Sequence, residues 1–586
     1  MGKQNCMRKT ASKTLKNTLT ASLVVFLISC GGGGNDSPPV SVAPTPIPPT
    51  PPVSSVLKLN SDQEVVSFLS KMTFGASRGD IEGAINRDAS ELLSEEFAKP
   101  PSYILPFVMD YTDDNEGVQH RSYSAAFWNA MVDGDDQLRQ RMVFALSQIT
   151  VISDLNMGDR PRMNAHYVDT LYKHAFGNYK ELLKEITYTP AMANFLTYYR
   201  NRDNSNQNPL QTPDENYARE FLQLFTVGVT ELNIDGTQKL VNGMPVETYS
   251  NEDIVGLARV FTGLSCGGID FWNCEDYDEI APLVMYQNYH SKNEKQFLGK
   301  TIGAYVDGDA AIDQAIDHIF EHPNLAPFIA SRLIQRFTAS SPTPEYIERV
   351  ATAFENGSYT SADNAQFGEG VRGDLKATLA AILLDEQFFN GEAKSNTDGK
   401  IREPVLRFIH WARAFDVGNV FAENEWALLF HARSNEGLGQ QPFQAPSVFN
   451  FYRPGFIAPQ SYSGNEGLTA PELQIIHEGS VIGYSDWMLE YVFNSSPTRD
   501  PSLDSFVPDY SYEVTLAEAP EQLAEHLDIL LLGGLMKNKT KERITTILNE
   551  MPIRSDHEDN TADDRWNRVA VAVYMAVTST EFSLAL

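Results

Sequence analysis

QTPDENYAREFLQLFTVG, residues 211–228, reads as a helix with both of its ends written into it. Thr212 can cap the start, Pro213 suits the first helical position, Glu215 completes a capping box, and Gly228 ends the helix. Tyr217, Phe221, Leu224 and Phe225 then form one apolar stripe. Glu215 with Arg219, and Asn216 with Glu220, fall at i, i+4 on other faces. Some of these polar groups border the stripe, where ionised side chains are seldom buried without a partner.

The same period recurs outward from this stretch. Asp136 to Val151 (Leu138, Met142, Ala145, Leu146, Ile149) and Pro327 to Phe337 (Phe328, Ile329, Leu333, Ile334, Phe337) place apolar residues at helical spacing. Strand-like alternation is scarce. In LNIDGTQKLVNGMPVETY, residues 232–249, Asp235-Gly236 and Asn242-Gly243 are turn pairs that predict one hairpin. The expected fold is therefore mainly α, a large multi-helical body over 56–586 with a small β-hairpin insertion and lobes at about 56–230 and 260–586.

The chain has 586 residues, 46 Lys+Arg against 77 Asp+Glu, and a formal charge of −31, which argues against binding a phosphate backbone. No nucleic-acid partner is expected. Four Cys in this length exclude a disulfide-dense scaffold. Residues 1–18 hold Lys3, Arg8, Lys9, Lys13 and Lys16 with no acid, and an apolar run from Leu19 to Ile28 follows, too short to span about 30 Å of hydrocarbon. Residues 1–29 read as a signal peptide. The run ends Leu27-Ile28-Ser29-Cys30-Gly31, which resembles a bacterial lipoprotein box with Cys30 as the lipidated residue, the palmitate-bearing membrane anchor.

Removing 1–29 takes away five cations and no acid, so the exported chain stands at −36. Residues 30–55, with Gly31 to Gly34 and eight Pro between 38 and 52, read as a flexible and then polyproline tether. In an oxidising compartment Cys266 and Cys274, with seven residues between them, suit a small loop disulfide; two free thiols are the alternative. Gly31 after the Cys, with no Asp there, fits sorting to the outer membrane of a Gram-negative cell envelope.

NPLQTPDENYAREFLQLFTVGVTELNIDGT (208–237) resembles the signature of the domain of unknown function 1800 family, similar to N-x-N-E-N-Y-A-R-E-L-x-E-L-F-T-L-G. HAFGNYKELLKEITYTPAM (174–192), FLGKTI (297–302), HPNLAPFIASRLIQRF (322–337), KIREPVLRFIHWARAF (400–415) and QQPFQAPSVFNFYRPGF (440–456) also look like family blocks. The resemblance implies a largely helical, exported protein of unestablished activity, often encoded beside a second exported family, which suggests a surface or periplasmic partner. Where relatives carry Trp and His, this chain has Phe144-Ala145-Leu146-Ser147-Gln148-Ile149, and where they show His-Asp it has His290-Ser291.

Candidate functional residues are few. Glu215, Asn216, Arg219 and Glu220 form one cluster, in which Arg219 offers a planar fork for a carboxylate or phosphate and a desolvated Glu220 could act as a base. A buried Arg-Glu network that locks two helices fits the same residues. His322 and His290 could add acid, base or ligand chemistry, although a helix-start cap or packing element and a solvated loop are the commoner roles for such residues. Phe451, Tyr452 and Arg453, in an aromatic-rich stretch, could line a groove for an extended ligand or pack an interface. His166 and His174 lie eight apart and no H-E-x-x-H occurs, so neither a histidine metal site nor a cofactor is expected. The acidic loops Asp110 to Glu116, Asp133 to Asp136, Glu275 to Glu279 and Asp307 to Asp313 offer oxygens for structural Ca²⁺, without an EF-hand template.

Two functions follow as expectations. One is a membrane-anchored lipoprotein that binds or assembles with another exported protein. The other is an exported hydrolase acting on polysaccharide or on a phosphate or sulfate ester.

Overall fold

Side-chain caps set the frame of the molecule. Ser61 starts the helix Asp62–Met72, and Ser77 with Asp80 closes a capping box on Arg78–Ala84. Ser250 and Asp253 do the same for Asn251–Val260, and Thr343 with Pro344 opens Pro344–Asn356. The computed structural model describes residues 57–114, 119–158, 160–203, 210–275, 277–385, 399–417, 432–494 and 506–585. The leader, Cys30, the tether and part of the Asp110 to Glu116 loop lie outside the described residues.

The fold is mainly α. Residues Ser55–Leu586 group into one contact unit. Among the described residues the sheet content is five two-stranded antiparallel pairs, and no helix is long and apolar enough to cross a membrane. One pair, Lys400–Ile401 with Leu584–Ala585, ties the end of the chain to its middle.

The expected helix at Asp136 forms as Gln137–Ser147, and the one near Pro327 as Leu325–Phe337. Both expected turns also form. Asn242 and Gly243 have φ of 54° and 78°, both positive as a tight hairpin turn requires, and they join Leu240–Val241 to Met244–Pro245. The Asp235-Gly236 turn is closed by a bridge between Leu232 and Gln238.

Every side chain of Gln137–Ser147 is buried, polar ones included. Arg141 donates through Nη2 to the carbonyl of Arg336, whose guanidinium lies 4.7 Å from the Tyr452 ring centroid. Tyr452 donates its hydroxyl to Glu403, which also accepts from Gln440 (2.9 Å) and Gln148 (3.2 Å). Lys400 reaches Glu472 at 2.6 Å, and Ser340 donates to the same carboxylate at 2.9 Å. Burial pushes the Glu403 carboxyl up, but Lys400, Arg336 and Arg141 together hold it below its ordinary value. Such a network joins distant segments because removing one member leaves a charge buried without its partner.

Candidate functional site

The signature helix starts later than its sequence predicts. Residues 211–215 are not helical, and Asn216–Glu220 begins without a side-chain cap from Thr212. Asn201 explains the shift. Its side chain accepts from Asp214 N (2.8 Å) and donates to Asp214 O (2.9 Å), while Asp214 Oδ1 accepts from Asn216 N (2.9 Å). The predicted Thr212–Glu215 capping box is thus replaced by an Asx turn at Asp214, held from Asn201, that leads into the helix.

After Glu220 the helix widens. Phe221–Thr226 is a π-helical turn in which Val227 N bonds Leu222 O (3.0 Å) and the Thr226 hydroxyl bonds Phe221 O (2.6 Å). The extra residue moves the apolar register, so Leu222 is fully buried where Leu224 was expected. Gly228 then turns at φ 70°, and a Cβ there would meet the Phe328 ring at 2.7 Å. Tyr217 stacks on Tyr198 (4.1 Å between centroids) and bonds Thr187 through its hydroxyl (2.8 Å).

The turn is clamped by Asn324, a residue the sequence reading passed over. Buried Asn324 donates to Val227 O (2.9 Å) and Thr230 O (2.7 Å) and accepts from Leu232 N (2.8 Å). His322 serves this clamp: its Nδ1 accepts from Asn324 N at 3.1 Å, and burial lowers its pKa.

The polar cluster on the signature helix splits in two. Arg219 pairs with Glu215 at 3.0 Å, their side chains 40% and 37% exposed, as a surface i, i+4 pair. Asn216 donates to Thr197 at 3.3 Å. Glu220 turns inward at 6% exposure, and its Oε2 has no hydrogen-bond partner. Burial raises its pKa to about 7 against the opposing pull of Arg219. Tyr249 sits in its field, its hydroxyl pushed up to about 12 by burial first and Glu220 next. A buried carboxyl that titrates near neutrality can give or take one proton.

His290 lies in a different buried centre. Its Nδ1 faces Thr262 O at 2.9 Å; a carbonyl only accepts, so Nδ1 carries the proton and Nε2, buried without a partner, is the bare acceptor. Burial lowers its pKa. Next to it Asp203 accepts from Ser291 and from Asn293 (2.8 Å) and pairs with Arg259 at 3.4 Å. Lys295, fully buried, donates to the carbonyls of Ser291 (2.9 Å) and Asn293 (3.2 Å), and burial lowers its pKa. Arg259 and Asn293 also line an open groove of about 950 Å³ between Asn251–Val260 and the hairpin Lys295–Phe297/Lys300–Ile302. Asp203, Arg259 and Lys295 carry no motif; their meeting is a property of the fold.

The six residues proposed as one cluster therefore occupy four settings, with no hydrogen bond or ion pair joining Glu220, His290 and His322 among the described residues. The aromatic stretch behaves differently from a groove. Tyr452 points into the core network, Arg453 stacks on Phe449 at 4.9 Å, and Phe451 borders a pocket of about 10 Å³, room for one water. Cys266 and Cys274 form a disulfide with Cα atoms 6.0 Å apart, and Arg200 donates to Cys274 Sγ at 2.9 Å. Of the acidic loops, Asp307 caps Gly308–Phe320 and Asp313 pairs with Lys184 at 2.6 Å. Among the described residues no three His, Cys, Asp or Glu side chains gather as a metal site.

The fold is that of a large, mainly α-helical protein with small antiparallel strand pairs. The chain belongs to the family described as protein of unknown function (DUF1800), whose family model matches residues 67–584. Comparison with curated proteins and with solved structures gives no match.

Proposed function

We infer that this protein is a lipid-anchored protein of the cell envelope, exported and held at the outer membrane through Cys30, that binds or assembles with another exported protein. The observation that carries the reading is the hairpin beyond the signature helix. Leu240, Val241 and Met244 are 57%, 60% and 68% exposed on a strand pair only two residues long. Apolar side chains held outward on a short, open-edged strand pair make a docking element, not a core. Asn324 clamps the base of that hairpin to the π turn, so the element is presented rigidly. The Cys266–Cys274 disulfide supports an oxidising compartment. The test is chemical cross-linking in intact cells, comparing the natural chain with a Leu240→Ser, Val241→Thr, Met244→Gln variant of unchanged melting. Loss of one defined exported partner from the variant is the expected outcome; an unchanged set of adducts contradicts it.

A hydrolase is the second reading, favoured by the buried carboxyl of Glu220, whose Oε2 has no hydrogen-bond partner. It requires that Glu220→Gln abolish turnover of a glycan or of a phosphate or sulfate ester while the fold persists.

A further inference from the structure

The two sulfurs of the Cys266–Cys274 disulfide have unlike surroundings. Cys266, next after the strand Leu264–Ser265, is fully buried, whereas Cys274 is partly exposed. The loop between them holds Ile269 and Trp272 outward, at 71% and 46% exposure. Hydrogen-bond donors follow the same division. Cys274 Sγ accepts from the Tyr199 hydroxyl and from Arg200 Nη2, each at 2.9 Å, because a disulfide sulfur has no proton to give. Cys266 Sγ has only the Ser265 hydroxyl at 3.7 Å among the described residues, and that hydroxyl also donates to Phe271 O at 2.8 Å.

A guanidinium aimed at a neutral sulfur is a cation without its anion. Arg200 has no ion pair among the described residues, and its Nε is buried without a partner. Asp270 spends Oδ1 on Trp272 N (2.8 Å) and Asn273 N (2.9 Å) and meets Arg200 only through its field. Burial first, then the field of Tyr199, pushes the neighbouring Tyr277 hydroxyl up, so it stays a neutral phenol. The cation is nevertheless fixed in place. Arg200 takes φ 61°, a conformation that costs a residue bearing a Cβ, and its N bonds Leu264 O at 2.9 Å, beside the strand that leads to Cys266.

We propose that Cys266 and Cys274 form a thiol–disulfide exchange centre, with Cys274 as the reactive sulfur and a dithiol as the co-reactant. A thiolate of the dithiol attacks Cys274 Sγ, the bond between the two sulfurs breaks, and Cys266 leaves with the electron pair and takes up a proton. The second thiol, after losing its proton to solvent, attacks its partner's sulfur in the mixed disulfide. Cys274 then departs as a thiolate, the anion that Arg200 and Tyr199 already face. The dithiol is oxidised to a disulfide and the protein pair is reduced by two electrons. Stabilising the thiolate favours the reduced pair, which makes the bond an oxidant. The exposed Ile269 and Trp272 on the same loop suit a peptide dithiol; a free small dithiol is the other source.

Alkylation and redox equilibrium of the purified chain test this. The reduced protein, its fold checked by circular dichroism, is treated with iodoacetamide across the pH range, and the two cysteines are read separately by peptide mass. Cys274 should half-react at least about one pH unit below the ordinary thiol value of about 8.5, and Arg200→Gln or Tyr199→Phe should move it back up. In glutathione buffers Arg200→Gln should favour the disulfide about tenfold more than the natural chain does. Arg554→Gln, an exposed arginine outside the site, should leave that equilibrium unchanged. Faster exchange with the peptide Leu-Cys-Gly-Gly-Cys-Leu than with dithiothreitol assigns a peptide dithiol, and equal or slower exchange assigns a small one. A smaller depression at Cys274, or a glutathione equilibrium equal in the natural chain and Arg200→Gln, overturns the proposal.

Discussion

Arg219 and Glu220 are neighbours in sequence and opposites in structure. Arg219 stays at the surface with Glu215 at 3.0 Å, while Glu220 turns inward and its Oε2 meets no partner. A helix period sends consecutive residues about 100° apart. Glu220 lies close enough to Tyr249 for its charge to help push that hydroxyl up.

This buried carboxyl makes stability depend on pH. Its folded pKa of about 7 exceeds the ordinary 4.5, so the folded chain holds the proton more tightly. The contribution is complete below pH 4.5 and is lost as pH rises through 7. Glu220→Gln should match the natural chain in denaturant unfolding near pH 5 and exceed it near pH 8, by at most about 3 kcal/mol. Equal stability of both proteins at pH 8 counts against the assignment.

Asn324 holds three backbone groups at once. Asn324→Ala leaves Val227 O, Thr230 O and Leu232 N without that partner, and should cost about 2–4 kcal/mol in urea unfolding. Hydrogen exchange should also quicken at Leu232 before the rest of the body. Loss below half a kcal/mol would mean that water replaces the clamp.

Glu403 tests the core network. Glu403→Leu removes a buried carboxylate that interacts with Lys400, Arg336 and Arg141 and should destabilise the fold by about 3–5 kcal/mol. Tyr452→Phe removes only a hydroxyl and should cost about 1–2 kcal/mol. The order of the two variants in melting temperature is the check.

The disulfide closes a short loop, so its contribution is modest. Replacing Cys266 and Cys274 by Ser should lower stability by about 2–3 kcal/mol. Thiol alkylation before and after reduction, read by mass, reports whether the bond is present in protein taken from cells.

Much of the helical frame was legible, because apolar periodicity and caps act within a few residues. Gln137–Ser147 and both turns of the hairpin region follow their sequence signals closely. The signature helix departs where a long-range partner wins: Asn201 displaces the Thr212 cap, and the π turn exchanges Leu224 for Leu222. The polar centres were less accessible to sequence. Asp203 meets Ser291 across 88 positions, and Tyr452 meets Glu403 across 49, contacts no local pattern encodes. Burial separated Glu220 from Arg219, a distinction that a helical wheel with uncertain register could not draw.

The central claim is that the hairpin docks an exported protein. The direct measurement is site-specific photo-cross-linking in intact cells from position 241, with position 305, also exposed, as the control. A single exported protein captured from 241 and absent from 305 is the predicted result. No adduct at 241, or the same adducts from both positions, would contradict the account.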